Sequence, residues 1–125
     1  MVQNQPPVNP DTLPFHLQHA IKLHQQGNLQ AASEIYRQLA TIFPNNTDVL
    51  LFLGTVEYQR GNFSESAKLF KQLLAISPRH AQARCLLSQV LYQLGHLDEA
   101  LQSIKRVIQL QFNLAEAYQH CGNVL

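Results

Sequence analysis

Three glycines recur at a fixed spacing along the chain. Gly27, Gly61 and Gly95 are equally spaced, and similar phrases follow them, such as Gly-Asn-Leu-Gln-Ala-Ala and Gly-His-Leu-Asp-Glu-Ala. Pro44 and Pro78 are separated by the same interval, and each stands midway between two of the glycines. A strict period predicts a stack of one repeated unit rather than a single closed core. Such stacks mostly bind other molecules, so the period favours binding over catalysis.

Helix-breaking residues alternate with apolar segments of helical spacing. Because glycine and proline end helices, each unit is predicted to hold one helix before its glycine and one after it. The turn between the two is so short that they must pack antiparallel. The predicted helices lie near residues 13–26, 30–43, 47–60, 64–76, 81–94 and 97–110. A seventh is predicted to begin near Leu114, and the given sequence stops inside it.

The arrangement resembles the tetratricopeptide repeat, whose first helix carries a large residue, Leu-Gly and Tyr, and whose second carries Ala, an aromatic residue and Pro. The clearest match is the segment 115–125, which reads Ala-Glu-Ala-Tyr-Gln-His-Cys-Gly-Asn-Val-Leu. Further matching residues are Ala20, Ala32, Tyr36 and Pro44 in the first unit, Leu53, Gly54, Phe70 and Pro78 in the second, and Leu87, Ser88 and Ala100 in the third.

The resemblance covers residues 13–125 and implies an all-α fold, a right-handed superhelix of antiparallel helix pairs (an α-α solenoid). The implied units are three repeats at 13–46, 47–80 and 81–114, the first helix of a fourth at 115–125, and a flexible Pro-rich leader at 1–12. Four residues depart from the pattern. His16, His19 and Arg84 replace large apolar residues, and Phe112 stands where the third proline would be. The two histidines suit an end unit, whose outer face meets water.

Charge and composition argue against several classes of partner. The formal net charge is +1 and only 14% of the residues are charged, so attraction for nucleic acid or anionic lipid is expected to be weak. No apolar stretch approaches the ~20 residues that a membrane helix needs, and the first residues do not resemble a signal peptide. We therefore predict no nucleic-acid partner, no membrane insertion and a cytoplasmic location.

The sequence offers no constellation for catalysis. Its carboxylates are dispersed over separate repeats, and no turn glycine is accompanied by the lysine or second glycine of a phosphate-binding loop. His16 and His19 have a spacing that suits one metal ion, but their helix supplies no third ligand of suitable phase except the distant His24. Cys85 and Cys121 fit neither a disulfide framework nor a four-ligand zinc site, so free thiols are expected. We predict no enzyme within these residues, no cofactor and no metal.

The predicted site is a groove, because in the tetratricopeptide repeat the first helix of each pair lines the concave side. The positions that the resemblance turns inward make an apolar floor edged with amides, which suits an extended peptide or an amphipathic helix of a partner protein. The predicted groove residues are Leu17, Ile21, Leu51, Phe52, Thr55, Tyr58, Gln59, Cys85, Leu86, Gln89, Tyr92, Gln93, His120 and Asn123. Alternatively, a shift of one or two residues in phase would make Phe52 and Tyr92 core residues, or the leader would fill the groove.

Repeat domains of this family that grip the acidic C-termini of heat-shock chaperones use lysine, asparagine and arginine at set inner positions. The corresponding positions here hold Leu17, Ile21, Phe52, Gln82 and Leu86. The resemblance therefore argues against that particular clamp.

Two other functions remain open. Residues around Tyr118 and Gly122 resemble the repeat arms of O-linked N-acetylglucosamine transferases and similar bacterial multidomain proteins, which implies a substrate-recognition arm whose catalytic domain lies beyond residue 125. The paired asparagines of those repeats are reduced here to Asn123. The last helix also lacks a covering partner, so a self-associating module, a homodimer through that helix, is the other alternative.

Overall fold

The computed structural model of the chain describes residues 6–109. This part of the chain contains six α-helices joined by short turns. They are α1 (Leu13–Gln25), α2 (Leu29–Ile42), α3 (Thr47–Gln59), α4 (Phe63–Ile76), α5 (Ala81–Gln93) and α6 (Leu97–Gln109). The odd helices begin at the residues where the period places the start of each repeat. The predicted seventh helix lies outside the described residues.

Local chemistry explains where these helices begin and end. The side chains of Asn28, Asn46 and His80 cap α2, α3 and α5, each by accepting a hydrogen bond from the backbone N–H three residues further on. The turn after each odd helix contains a glycine at positive φ, for example Gly27 at 83° and Gly61 at 85°. Side-chain-bearing residues rarely adopt this conformation, which explains why glycine keeps the same phase in every unit.

Each helix packs against the helix that follows it in sequence. In addition α1 contacts α3, and α3 contacts α5, so these three helices form one row and α2, α4 and α6 form the other. The core runs along the boundary between the rows, where Tyr36, Leu50, Phe70 and Leu73 are almost completely buried. The all-α repeat superhelix that the resemblance implies is confirmed.

Gly54 allows close packing in the second pair. A Cβ built on Gly54 would lie 2.6 Å from Cε1 of Phe70, so the ring occupies space that only glycine leaves free. Next to this contact, Ser66 Oγ donates a hydrogen bond to the Gly54 carbonyl over 2.7 Å. The α3–α4 pair therefore depends on glycine at this position.

Candidate binding groove

The row formed by α1, α3 and α5 carries the predicted groove residues. Leu17, Ile21, Leu51 and Phe52 are half-buried, and each packs on its inner side against the main hydrophobic core. Their remaining surface is open. The first two units therefore provide an apolar floor that is continuous with the core.

Polar and aromatic groups accompany this floor. Tyr58 is half-buried and packs against Phe63, with ring centroids 5.4 Å apart, while Gln59 and Gln93 are exposed. Tyr92 is 63% exposed, the largest exposure among the large hydrophobic residues of the described chain. Thr55 and Gln89 are half-buried, and the Thr55 hydroxyl donates to the Leu51 carbonyl over 2.7 Å.

Two predicted groove residues of the third unit are buried. Cys85 is 2% exposed and Leu86 is 7% exposed, and Leu86 belongs to the main hydrophobic core. Cys85 is also disulfide-bonded, so the expectation of a free thiol at this residue is wrong. Neither side chain presents a surface to a ligand in this structure. The predicted groove residues His120 and Asn123 lie outside the described residues.

A chain of side chains connects the groove floor to the helix behind it. The rings of Phe52 and Tyr36 stack with their centroids 5.8 Å apart and their planes inclined by 11°. Nε2 of His24 lies 2.5 Å from Oε1 of Gln59. Nδ1 of the same ring lies 3.2 Å from the Tyr36 hydroxyl. Side chains of α1, α2 and α3 are thereby fixed to one another beside the groove.

The Tyr36 side chain is held in its neutral form. The residue is fully buried, and this burial raises the pKa of Tyr36 to about 12. Sequence reasoning assigned Tyr36 to the packing pattern of the first unit and missed that its hydroxyl reaches His24. The residue therefore combines a core position with a polar contact at the groove.

A buried carboxylate lies at the junction of the first and second units. Glu57 is fully buried, and Ser33 Oγ and Asn62 Nδ2 donate to it over 2.7 and 2.8 Å. Arg60 Nη1 donates over 3.0 Å, and Arg37 forms a second ion pair with it. Burial alone would raise the pKa of Glu57, but the hydrogen bonds and then the two arginine charges outweigh burial and lower the pKa. The cluster fixes α2 to α3.

The histidine and carboxylate side chains of the described residues do not converge on a metal ion. His16 is 5% exposed, so the expectation that it meets water at an end face is wrong. Within residues 6–109, no group of three or more His, Cys, Asp or Glu side chains could hold a metal ion. None of the helices in the same range is long and apolar enough to cross a membrane.

Known proteins share sequence and fold features with this chain. The tetratricopeptide repeat family model matches residues 23–69 and 57–121. No curated protein sequence matches the chain. The type III secretion translocator chaperone SycD of Yersinia enterocolitica superposes with a TM-score of 0.84 at 19% identity, over 94% of this chain and 81% of SycD.

Two further solved structures are similar at low sequence identity. MamA superposes with a TM-score of 0.79 at 22% identity, over 93% of this chain and 63% of MamA. PcrH, solved in complex with the chaperone binding region of PopD, gives a TM-score of 0.82 at 16% identity, over 99% of this chain and 91% of PcrH. These likenesses show the fold, and the family match spans most of the sequence. The chain belongs to the tetratricopeptide repeat family.

Proposed function

We propose that the protein is an interaction scaffold that binds an extended peptide of a partner protein along α1, α3 and α5. The observation that carries the proposal is the half-exposed apolar floor of Leu17, Ile21, Leu51 and Phe52, which continues directly from the core. Apolar surface of this kind, bordered by polar groups, is typical of a protein-binding site.

The side chains beside the floor suit a peptide ligand. Tyr92 supplies a large ring at a low cost in rotamer entropy. Gln59 and Gln93 are exposed amides that can pair with the backbone of an extended chain. PcrH, whose fold is similar, is described in complex with a segment of PopD, which supports a protein segment as the ligand class here.

The proposal is tested with peptides selected from a displayed random library against the purified protein. Tyr92→Ala and Phe52→Ala are each expected to weaken the affinity for the selected peptides by at least ~10-fold, because each removes an aromatic contact. Affinities are measured by fluorescence anisotropy with labelled peptides, and circular dichroism reports helicity. Ile76→Ala is the matched control, because Ile76 is 42% exposed on α4, in the other row. Equal peptide affinity in all variants would contradict the assignment of Phe52 and Tyr92 to the binding surface. A large loss of helicity in Tyr92→Ala would also contradict it, because Tyr92 would then be a core residue.

The finer alternatives stay predictions. A role as the recognition arm of a larger enzyme, including a glycosyltransferase, depends on residues beyond 125. Self-association through the last helix depends on residues outside the described range. A cytoplasmic location and the lack of a nucleic-acid partner are proposed on the charge and composition given above.

A further inference from the structure

Arg84 occupies a position that is apolar in the second unit. The residue one period earlier is Leu50, which is 1% exposed and belongs to the main hydrophobic core. The same phase in the third unit places the Arg84 side chain at the packing face of α5, where it is half-buried. A guanidinium at an interface of this kind needs hydrogen-bond partners for its buried donors.

The hydrogen bonds available to Arg84 are incomplete. Its Nη2 donates to the Pro78 carbonyl over 3.0 Å. Its Nε is buried and has no hydrogen-bond partner among the described residues. An N–H that is removed from water and left without an acceptor is costly, so the local arrangement lacks one acceptor.

A second arginine faces the same space. Arg84 and Arg106 line one depression of about 500 Å³ between α5 and α6, together with Leu87, Leu91 and Ser103. Within residues 6–109, neither arginine forms an ion pair with a carboxylate. Burial, and after it the charge of Arg106, lowers the pKa of Arg84. Half-buried Arg84 and exposed Arg106 therefore line the same depression. Neither is in an ion pair among the described residues, and Arg106 Nη1 donates only to Gln109 Oε1, over 3.4 Å.

We propose that the arginine end of this depression binds an oxyanion, a carboxylate or phosphate group, held between Arg84 and Arg106. The guanidinium group is suited to both, since its planar donors match two oxygens at once. The oxyanion would supply the acceptor that Arg84 Nε lacks and the counter-charge that the pair lacks. Ser103 lines the same depression, and a serine hydroxyl is able to donate to an oxyanion.

The other end of the depression limits where the anion sits. Asp98 and Glu99 line that end, and Asp98 lies about two helical turns from Arg106, or ~12 Å along the helix. Glu99 is already engaged by Lys71, 3.5 Å away, and lies 3.6 Å from His96. The acidic end repels an anion, which confines the oxyanion to the arginine end.

This site is separate from the proposed peptide groove. Arg84, Leu87 and Leu91 share one face of α5 and line the depression. Tyr92 lies roughly 100° and Gln93 roughly 150° around the helix from that face. Oxyanion binding can therefore fail while the groove function stands, and the reverse is also possible.

Thermal unfolding tests the proposal in sodium phosphate, sodium acetate and sodium chloride at equal ionic strength and pH. The wild-type Tm is expected to rise by ~5 °C over chloride in at least one oxyanion at about ten times its Kd. Arg84→Leu is expected to fold, because leucine fills this position in the second unit, and to lose the anion-specific rise. Lys105→Gln is the matched control, since it removes one exposed positive charge from α6 outside the depression.

The salt that raises Tm over chloride identifies the oxyanion. A rise in phosphate alone, in acetate alone or in both would each support the proposal. A direct readout is the NMR signal of the Arg84 Nε–H, which is expected to shift during the titration. The proposal is overturned if wild type and Arg84→Leu respond equally to all three salts. It is overturned equally if the Nε–H signal does not move while Tm rises, because phosphate also stabilises proteins by exclusion from their surface.

Discussion

At the scale of single residues, the contact between Gly54 and Phe70 sets how closely α3 and α4 approach. A methyl group on Gly54 would lie 2.6 Å from one ring carbon of Phe70 and 2.9 Å from another. We expect Gly54→Ala to lower the free energy of unfolding by ~1–3 kcal/mol through overpacking, as measured by urea denaturation. Lys68→Ala, an exposed change on α4, serves as the control and should have little effect.

A second substitution separates overpacking from other causes. Phe70→Leu removes the ring atoms that the new methyl group would meet, so Gly54→Ala should cost less in that background. If the two changes are additive, the ring contact is not the reason for glycine at this position.

Two polar residues show what a single sequence can reveal at this scale. Glu57 lies one period after Leu23 and one period before Leu91, so its phase is one of apolar packing. Arg84 likewise shares its phase with Leu50. A charge at an apolar phase was therefore a usable signal for both polar clusters. The partners of each charge were not predictable, because they depend on rotamers and on neighbouring helices.

At the scale of elements, the Glu57 cluster links α2 to α3 and the turn that follows. Its lowered pKa means that the ionised form stabilises the folded state above the unfolded-state pKa, near 4.5, and that this stabilisation is lost as the pH falls through the folded-state value. We expect Glu57→Gln to cost ~2 kcal/mol at pH 7, because a neutral amide cannot satisfy all the same donors.

The pH dependence of stability tests whether the Glu57 carboxylate is the cause of this loss. Stability measured by urea denaturation between pH 5 and 3 should fall less steeply for Glu57→Gln than for wild type. Glu65→Gln is matched, since Glu65 also faces Arg37, at 3.6 Å, but is 38% exposed. A wild-type slope in Glu57→Gln would show that other carboxylates govern acid unfolding.

The elements themselves were largely predictable. Each end of an observed helix lies within one residue of the predicted end. The helix-breaking residues Gly27, Gly61 and Pro44 fix where the helices can end. The groove was less predictable. Residues at equivalent phases, Phe52 and Leu86, differ in exposure because each unit meets different neighbours. The period gives the phase of a residue, whereas burial depends on what covers that phase.

At the scale of the whole molecule, the third unit differs from the second in how much apolar surface its second helix exposes. On α6, Leu97, Leu101 and Ile108 form an exposed apolar stripe, at 58%, 53% and 46% exposure. The equivalent positions of α4 include Ala67 and Leu74, which are buried, at 6% and 8% exposure. Within residues 6–109, the second unit is thus covered by the unit that follows it, whereas this stripe on the third unit is exposed.

The self-association predicted from the sequence involves the last helix, and the stripe on α6 is a different surface. If a dimer forms through described residues, we expect a second copy to contact this stripe. Light scattering after size exclusion should then give a dimer mass for wild type and a monomer mass for Leu101→Glu. Gln102→Glu, on the same helix and also exposed, is the control and should remain dimeric. A monomer mass for wild type at all concentrations would contradict self-association.

The contrast between Tyr36 and Tyr92 has an optical consequence. The chain contains four tyrosines and no tryptophan, so tyrosine emission is not lost by energy transfer to an indole. Tyr92 is open to solvent, where a soluble quencher reaches it, whereas Tyr36 is sealed behind Phe52 and bonded to His24. A tyrosine-free ligand that covers Tyr92 would shield it from the quencher. Occupancy of the groove can therefore be read from the protein's own fluorescence, without a dye.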